Sequence, residues 1–434
     1  MLLVYCFEKT ARLDYVFKLV LEELAGIDFR ITTNVDEYKA TDLPCLNYSG
    51  SGLKEAEVFI KANALLFEKG VKEQQLKFTQ EENAPQLHFN NGDNFDPFSA
   101  AFFLVSRYEE YLPYTPDEFH RFPAVASEIT KQNLLHLPLV NLWSEEVKQV
   151  LKERFPSLSS TQRPFSAVIT IDVDQAYAFK YRGMKRQAIS LIRNVALVKP
   201  QYLLAQAKTL SNLCRDPFDS FEYLRQCQSS TELQFIYFIN VGKYSKYDKN
   251  TSTSNTQFRR LLKGISSYAE IGLHPSFYTN EFPEKFFEEK SDLEWAIGKQ
   301  IRKSRQHFLK LKLPHTYRCV IDAGLTDDYT MGYASHPGFR AGICTPFKWF
   351  DLEKDLSTEL LVHPITYMEG SFHKLHCSPS DAASCSDRFI DIVKRFNGEF
   401  VSLWHNHTVN ESFAWKGWRT VFEQSLRQLN NICV

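Results

Sequence analysis

The feature that most constrains this chain is a series of short apolar runs that stop on acids, histidines or an arginine. The clearest is Phe165-Ser-Ala-Val-Ile-Thr-Ile-Asp172, followed at once by Val-Asp174. An unbroken apolar run of this length fits a strand buried on both faces, as parallel sheets require. Further runs at 233–240, 269–273, 306–309, 342–346 and 400–403 repeat the pattern, with helical spacing over 284–303 and 387–395 between several of them. Strands alternating with helices predict an α/β fold with a parallel sheet or barrel, whose chemistry gathers at the C-terminal ends of the strands.

Four polar clusters fall at those ends. In Thr170-Ile-Asp172-Val-Asp174 the acids are two residues apart, so a continuing strand points both to one face. There one can ligate a metal and the other can serve as a general base. Glu270-Ile-Gly-Leu-His274-Pro delivers a histidine, and a neutral imidazole beside acids is a ligand for a divalent cation. Ser304-Arg305-Gln306-His307 sets Arg305 and His307 on one strand face, where an arginine can orient a carboxylate. Last, Leu403-Trp404-His405-Asn-His407 closes the final run with two histidines.

The first part of the chain reads differently. A strand is expected over 2–6 and a helix over 13–24. A buried helix over 97–112 is started by Pro97 and stopped by Pro113, and another covers 142–154. The Pro- and Ser-bearing stretch 155–164 reads as a linker. It divides a smaller N-terminal α/β domain, 1–160, from a second domain, 161–434, with a helical insertion at about 179–228.

Composition narrows the classes. With 51 Lys and Arg against 52 Asp and Glu the formal net charge is -1, which removes the electrostatic case for a nucleic-acid binder. No window has the roughly 18 apolar residues that a membrane span needs, and Glu8, Lys9 and Arg12 come too early for a signal peptide, so the cytoplasm is the expected location. Nine Cys, odd in number and without a Cys-x-x-Cys pair, argue against a disulfide framework or a structural zinc site. The skew is aromatic, with 35 Phe, 20 Tyr and 6 Trp. Part of it, such as Phe98, Phe102, Phe103 and Tyr108, is expected in the core of the first domain. Another part, Phe277, Tyr278, Tyr329, Tyr333, Phe339, Trp349 and Trp404, is expected to offer rings to sugar faces.

In order and context the clusters resemble the motifs of the NodB-type polysaccharide deacetylases, metal-dependent carbohydrate esterases built on a distorted parallel (β/α) barrel. The resemblance spans about 165–430. It implies Asp172 as catalytic base, Asp174 and His274 as metal ligands, Arg305 fixing the base and His405 as general acid. It further implies a divalent ion, zinc first with cobalt or manganese as alternatives, and an acetylated carbohydrate as substrate. Four residues after His274, where the family carries its second histidine ligand, this chain has Tyr278. The third ligand is therefore open between His307 and His407, both otherwise assigned with Arg340 and Trp404 to substrate binding. Phe95-Asp-Pro-Phe, Ser106-Arg-Tyr-Glu-Glu and the block from Asp328 to Gly342 resemble a bacterial subgroup with an N-terminal extension. The expected activity is hydrolysis of an N-acetyl or O-acetyl group on a sugar intermediate. The alternative is a barrel that has lost catalysis and binds a glycan or a protein. The oligomeric state stays open.

Overall fold

The structure, a computed structural model, describes residues 1–80, 84–90, 94–183, 186–188 and 200–433. In the first part, β1 (Leu2–Cys6), β2 (Phe29–Thr32), β3 (Cys45–Ser49) and β4 (Val58–Lys61) form a parallel sheet in the order β2-β1-β3-β4. The central strands β1 and β3 are buried at every position, which is why their sequences show no apolar–polar alternation. A helix over Ala11–Phe17, capped by the Thr10 side chain, runs on into the π-helical stretch Lys18–Leu24. β5 (Leu76–Thr79) and β6 (Gln86–Phe89) pair as an antiparallel ribbon.

The Pro97–Val105 helix is capped by Asp96, whose Oδ1 accepts from Phe98 N and Ser99 N. All its residues are buried. It stops short of the expected Leu112 because Arg107 takes a left-handed backbone with φ 53°, followed by a 3₁₀ turn over Tyr108–Tyr111. That break aims the Arg107, Glu109 and Glu110 side chains inward. The Leu139–Arg154 helix completes this part.

The second part holds a nine-stranded sheet. Its strands are β7 (Ser166–Val173), β8 (Gln234–Ile239), β9 (Glu270–Leu273), β10 (Lys303–Ser304), β11 (Asp327–Asp328), β12 (Phe347–Asp351), β13 (Leu356–Val362), β14 (Tyr367–Met368) and β15 (Glu399–His405). The order is β12-β13-β11-β10-β9-β8-β7-β15-β14, and every pairing is parallel except β12 with β13. One extended segment joins the two ends: residues 361–362 pair with β11 and residues 367–368 pair with β15. Between them Ile365 N donates to Met331 O and Thr366 N to Val401 O. The stretch 356–368 thus touches both β11 and β15.

On one face of these strands Val168, Ile236, Phe238, Tyr329 and Val401 form an apolar layer. Gly272 is required there, because a Cβ on it would lie 2.5 Å from the Phe238 ring. Outward-facing partners on the same strands, such as Ile169, Ile171, Tyr237 and Trp404, join the larger core under the helices.

Several elements differ from the sequence expectation. The run 306–309 is a 3₁₀ turn and the strand before it has two residues. The run 342–346 is a buried loop leading into β12. The helix expected over 284–303 is Pro283–Ile297, stopped by Gly298 in the left-handed region. Within the expected helical insertion, helices occupy Pro200–Leu210 and Phe221–Ser229, while 184–185 and 189–199 lie outside the described residues.

The two parts share one continuous core rather than meeting at a wet boundary. Tyr15 and Phe102 pack on Phe350, Phe339 N donates to Leu135 O, and Val140 N donates to Gly342 O. Gly338, with φ 124°, approaches so closely that a Cβ would sit 2.4 Å from the Leu135 carbonyl oxygen. The glycine-bearing block 338–342 is therefore the seam between the parts.

Candidate active site

The polar clusters meet at the C-terminal ends of the parallel strands. On β7 the period of two holds: Thr170, Asp172 and Asp174 face the inside while Ile171 and Val173 face the helices. Asp172 is almost completely buried, and Asp174, at the open end, has a side chain 29% exposed. His274 extends β9, Arg305 and His307 follow β10, and His405 ends β15.

Asp174, His274 and His307 each place a ligand atom within 4.8 Å of the other two. His274 Nε2 lies 3.0 Å from Asp174 Oδ1, and His307 Nε2 lies 3.5 Å from Asp174 Oδ2. The far nitrogens are already engaged. His274 Nδ1 donates to the Arg305 carbonyl at 2.5 Å, and His307 Nδ1 donates to Asp248 Oδ1 at 2.9 Å. A carbonyl and a carboxylate only accept, so each ring carries its hydrogen on Nδ1 and turns Nε2 toward Asp174. One carboxylate, two imidazole nitrogens and an outer ring of acceptors is a donor set suited to a first-row divalent cation.

Around this triad stand two further pairs. Arg305 Nη1 donates to Asp172 Oδ1 at 2.9 Å and to Thr170 Oγ1 at 2.6 Å, and its Nε donates to Tyr329 O. Its guanidinium rests 4.5 Å from the centre of the Phe238 ring, on top of the apolar layer. Opposite, His405 Nδ1 donates to Glu369 Oε1 at 2.7 Å, and His405 Nε2 is 3.6 Å from Asp174 Oδ2. Asp172 Oδ2 is 3.7 Å from His274 Nε2. Asp172, Asp174, His274, His307 and His405 line a cavity of about 180 Å³ together with Arg121, Leu309, Met368, Lys374 and Leu403.

The protonation preferences follow from the neighbours. Burial opposes charge on His405, but Glu369 and then Asp174 outweigh it and push the imidazole up to about 10. Burial likewise opposes charge on His307, which Asp174 and Asp248 raise to about 9. Asp174 would be raised by burial, yet His307 and His405 hold its carboxyl well below the usual range. His407 goes the other way, pushed down to about 4 by burial and by the His405 charge. Asp172, Asp174, Asp248 and Glu369 set four carboxylates against one guanidinium, an excess that imidazolium protons or a cation must balance.

Comparison with known proteins gives two kinds of likeness. Residues 2–156 match a family described as a family of unknown function (DUF7033). No curated protein matches the chain. Among solved structures, one from Mycobacterium smegmatis described as a polysaccharide deacetylase is 13% identical, covers 62% of this chain and 86% of its own, and gives a TM-score of 0.42. One from Pseudomonas aeruginosa PAO1 with the same description is 11% identical, covers 61% and 84%, and gives 0.37. The polysaccharide deacetylase Bc1974 from Bacillus cereus is 11% identical, covers 61% and 88%, and gives 0.29.

Of the residues named from sequence, Asp172, Asp174, His274, Arg305, His307 and His405 converge. His307 stands with the ligand atoms of Asp174 and His274 and also lines the cavity, and Tyr278 lies outside the cluster in the 3₁₀ turn Phe277–Asn280, under the Lys285 ammonium. His407 packs between Phe218, Trp415 and His405, away from Asp174. Arg340 is fully buried at the seam: Nε and Nη2 grip Glu110 at 2.9 and 2.7 Å, and Nη1 donates to Gly332 O. All three of its side-chain nitrogens are engaged within the protein. Trp404 is fully buried against Phe422 because it occupies the outward phase of β15. Phe277, Tyr329, Tyr333, Phe339 and Trp349 are buried as well, so of the rings expected to face a sugar only Tyr278 is partly exposed.

Glu369 and Asp248 escaped the sequence reading. Glu369 follows the two-residue strand β14 and Asp248 lies in the loop after β8, each without an apolar run or motif to mark it. An acid that acts only by holding a histidine from another strand leaves no local pattern.

Proposed function

We propose that the chain is a divalent-metal-dependent hydrolase that removes an acetyl group from a sugar or polysaccharide intermediate, on a distorted barrel closed by residues 356–368, with the N-terminal part packed on it through a shared core. The observation that carries this reading is the convergence of Asp172, held by Arg305, and His405, held by Glu369, side by side on neighbouring strands, with the Asp174, His274 and His307 triad. Asp174, His274 and His307 would hold the ion, zinc by donor type with cobalt or manganese as alternatives. Such an ion supplies Lewis-acid polarisation of the acyl carbonyl and lowers the pKa of a water.

The remaining steps belong to the chain. Asp172 takes a proton from the attacking water, and Arg305 keeps the accepting carboxylate aimed into the cavity. His405, kept protonated at neutral pH by Glu369, returns a proton to the leaving amine or alcohol. The site ends in a small, partly apolar cavity bounded by Leu309, Met368 and Leu403, a size that suits an acetyl group. The near-zero net charge of the chain suits an uncharged acylated sugar rather than a polyanion.

The test is metal analysis of the purified full chain with an acetate-release assay on N-acetylglucosamine oligomers and on an O-acetylated sugar. Metal uptake near one equivalent with acetate release is expected, and Asp174→Ala should abolish both. Folded protein that takes up no zinc, cobalt or manganese and releases no acetate would sink the proposal.

A further inference from the structure

The N-terminal part reaches the site through one loop. Asp117 organises it, with Oδ1 accepting from Phe119 N and Arg121 N at 2.9 and 3.0 Å and Oδ2 accepting from Arg121 Nε at 2.8 Å. So braced, Arg121 donates through Nη1 to the carbonyl of Phe308 at 2.5 Å. The Phe119 ring lies 5.0 Å from the Phe308 ring, and the Arg121 guanidinium stands 4.9 Å from the Phe119 ring centre. Backbone carbonyl and ring of Phe308 are thus both held from the N-terminal part.

Phe308 directly follows His307, and its conformation needs holding. It sits at φ 62° and ψ 12°, and Leu309 follows at φ 51°. Two successive side-chain-bearing residues in the left-handed region are strained, because each Cβ crowds the following carbonyl oxygen. The backbone bonds within the turn, Leu309 N to Gln306 O and Lys310 N to His307 O, close it, and Gln306 N to Thr330 Oγ1 and His307 N to Pro275 O anchor its start, which leaves the path beyond His307 to what holds Phe308. Asp248 fixes the far side of the His307 ring. The near side depends on the backbone path through Phe308.

We infer that Arg121 is a positioning residue for His307: by clamping the Phe308 carbonyl it holds the left-handed turn that brings His307 Nε2 to Asp174 and His274. The N-terminal part is then a component of the metal site and not an appendage. Arg121, Leu309, Ala334 and Lys374 also border both the site cavity and an adjoining groove of about 370 Å³, so the same loop walls the approach to the site. This inference rests on the metal-centre reading above.

The experiment uses the full chain stripped of metal by chelation and titrated with cobalt(II), followed by visible absorption without substrate. Arg121→Ala should weaken cobalt binding by about ten-fold or more, within the range that outer-shell substitutions reach, and alter the absorption bands as a nitrogen ligand is lost. Arg121→Lys should recover part of the affinity, and millimolar guanidinium added to Arg121→Ala should recover more, which a merely structural role would not do. If Arg121→Ala does not fold, Asp117→Asn takes its place, since it loosens the guanidinium while leaving it in the chain. Wild-type affinity and spectrum in whichever variant folds overturn this inference alone. A wild-type chain that takes up no cobalt overturns the hydrolase reading and this inference with it.

Discussion

Two buried arginine–carboxylate clusters sit within this chain, and they differ in how completely they are satisfied. At the seam, Arg107 and Arg340 meet Glu109 and Glu110. Arg107 donates to Glu110, Glu109, Tyr333 and the Arg340 carbonyl, and Glu109 accepts further from Ser127 and Glu128. Two positive charges face two negative ones, and no side-chain nitrogen or oxygen of these four residues lacks a partner. At the site, one guanidinium faces four carboxylates, and Arg305 Nη2 and Glu369 Oε2 have no partner within the protein. A closed cluster holds parts together, whereas an open one keeps bonding capacity for something that arrives.

The comparison breaks if removing charge at the seam does not hurt folding more than removing it at the site. Glu110→Ala leaves two arginines facing each other without their shared acceptor and should cost about 3–5 kcal/mol in urea denaturation, with cobalt binding retained in the fraction that stays folded. Asp172→Asn keeps shape and one acceptor, so it should lower turnover by about 10²–10⁴ while metal uptake persists. Equal loss of stability in both variants would erase the distinction.

The pH dependence should separate the clusters too. Glu110 is held below its ordinary range because Arg340 and Arg107 outweigh the burial that would raise it. A depressed carboxylate stabilises the fold above its unfolded pKa, near 4.3, and that stability is lost only as pH falls through the folded value. His405 is raised to about 10, so in chelated protein its contribution is complete below about 6.5 and is lost as pH rises from there through 10. Urea midpoints of metal-free protein should therefore decline across the alkaline range, and His405→Gln should flatten that decline while leaving the acid limb, where the seam titrates. An unchanged alkaline slope would mean that His405 is not the charged group described here.

The smallest effect is expected at Trp404. Its indole is on the outer phase of β15 with Nε1 unpartnered, so Trp404→Phe removes an unsatisfied donor as well as some packing. The net cost should be about 1–2 kcal/mol, the cavity left by the smaller ring being partly offset by loss of the unsatisfied donor, with KM for any acetylated substrate unmoved. A raised KM would return the ring to the substrate side.

Asp172, Asp174, His274 and His405 were legible because each ends a buried strand, where period-two alternation and the end of an apolar run fix both direction and height. His307 was harder. It was expected on a strand face, but it sits on a 3₁₀ turn whose left-handed backbone at Phe308 no local pattern announces. Arg340 misled for a related reason: a buried arginine beside glycines looks alike whether its carboxylate belongs to a ligand or to Glu110, 230 residues away.

By itself the sequence determined the alternation of buried strands with helices and the polar residues at the strand ends, since both follow from local periodicity and burial. The tertiary structure decided the contacts of 356–368 with both β11 and β15, the placement of His307 beside Asp174, and the contacts of Glu369 with His405, Asp248 with His307 and Arg121 with Phe308. Each of these depends on contacts between residues far apart in sequence, and the energy of such contacts is set by burial and geometry that a local pattern does not contain.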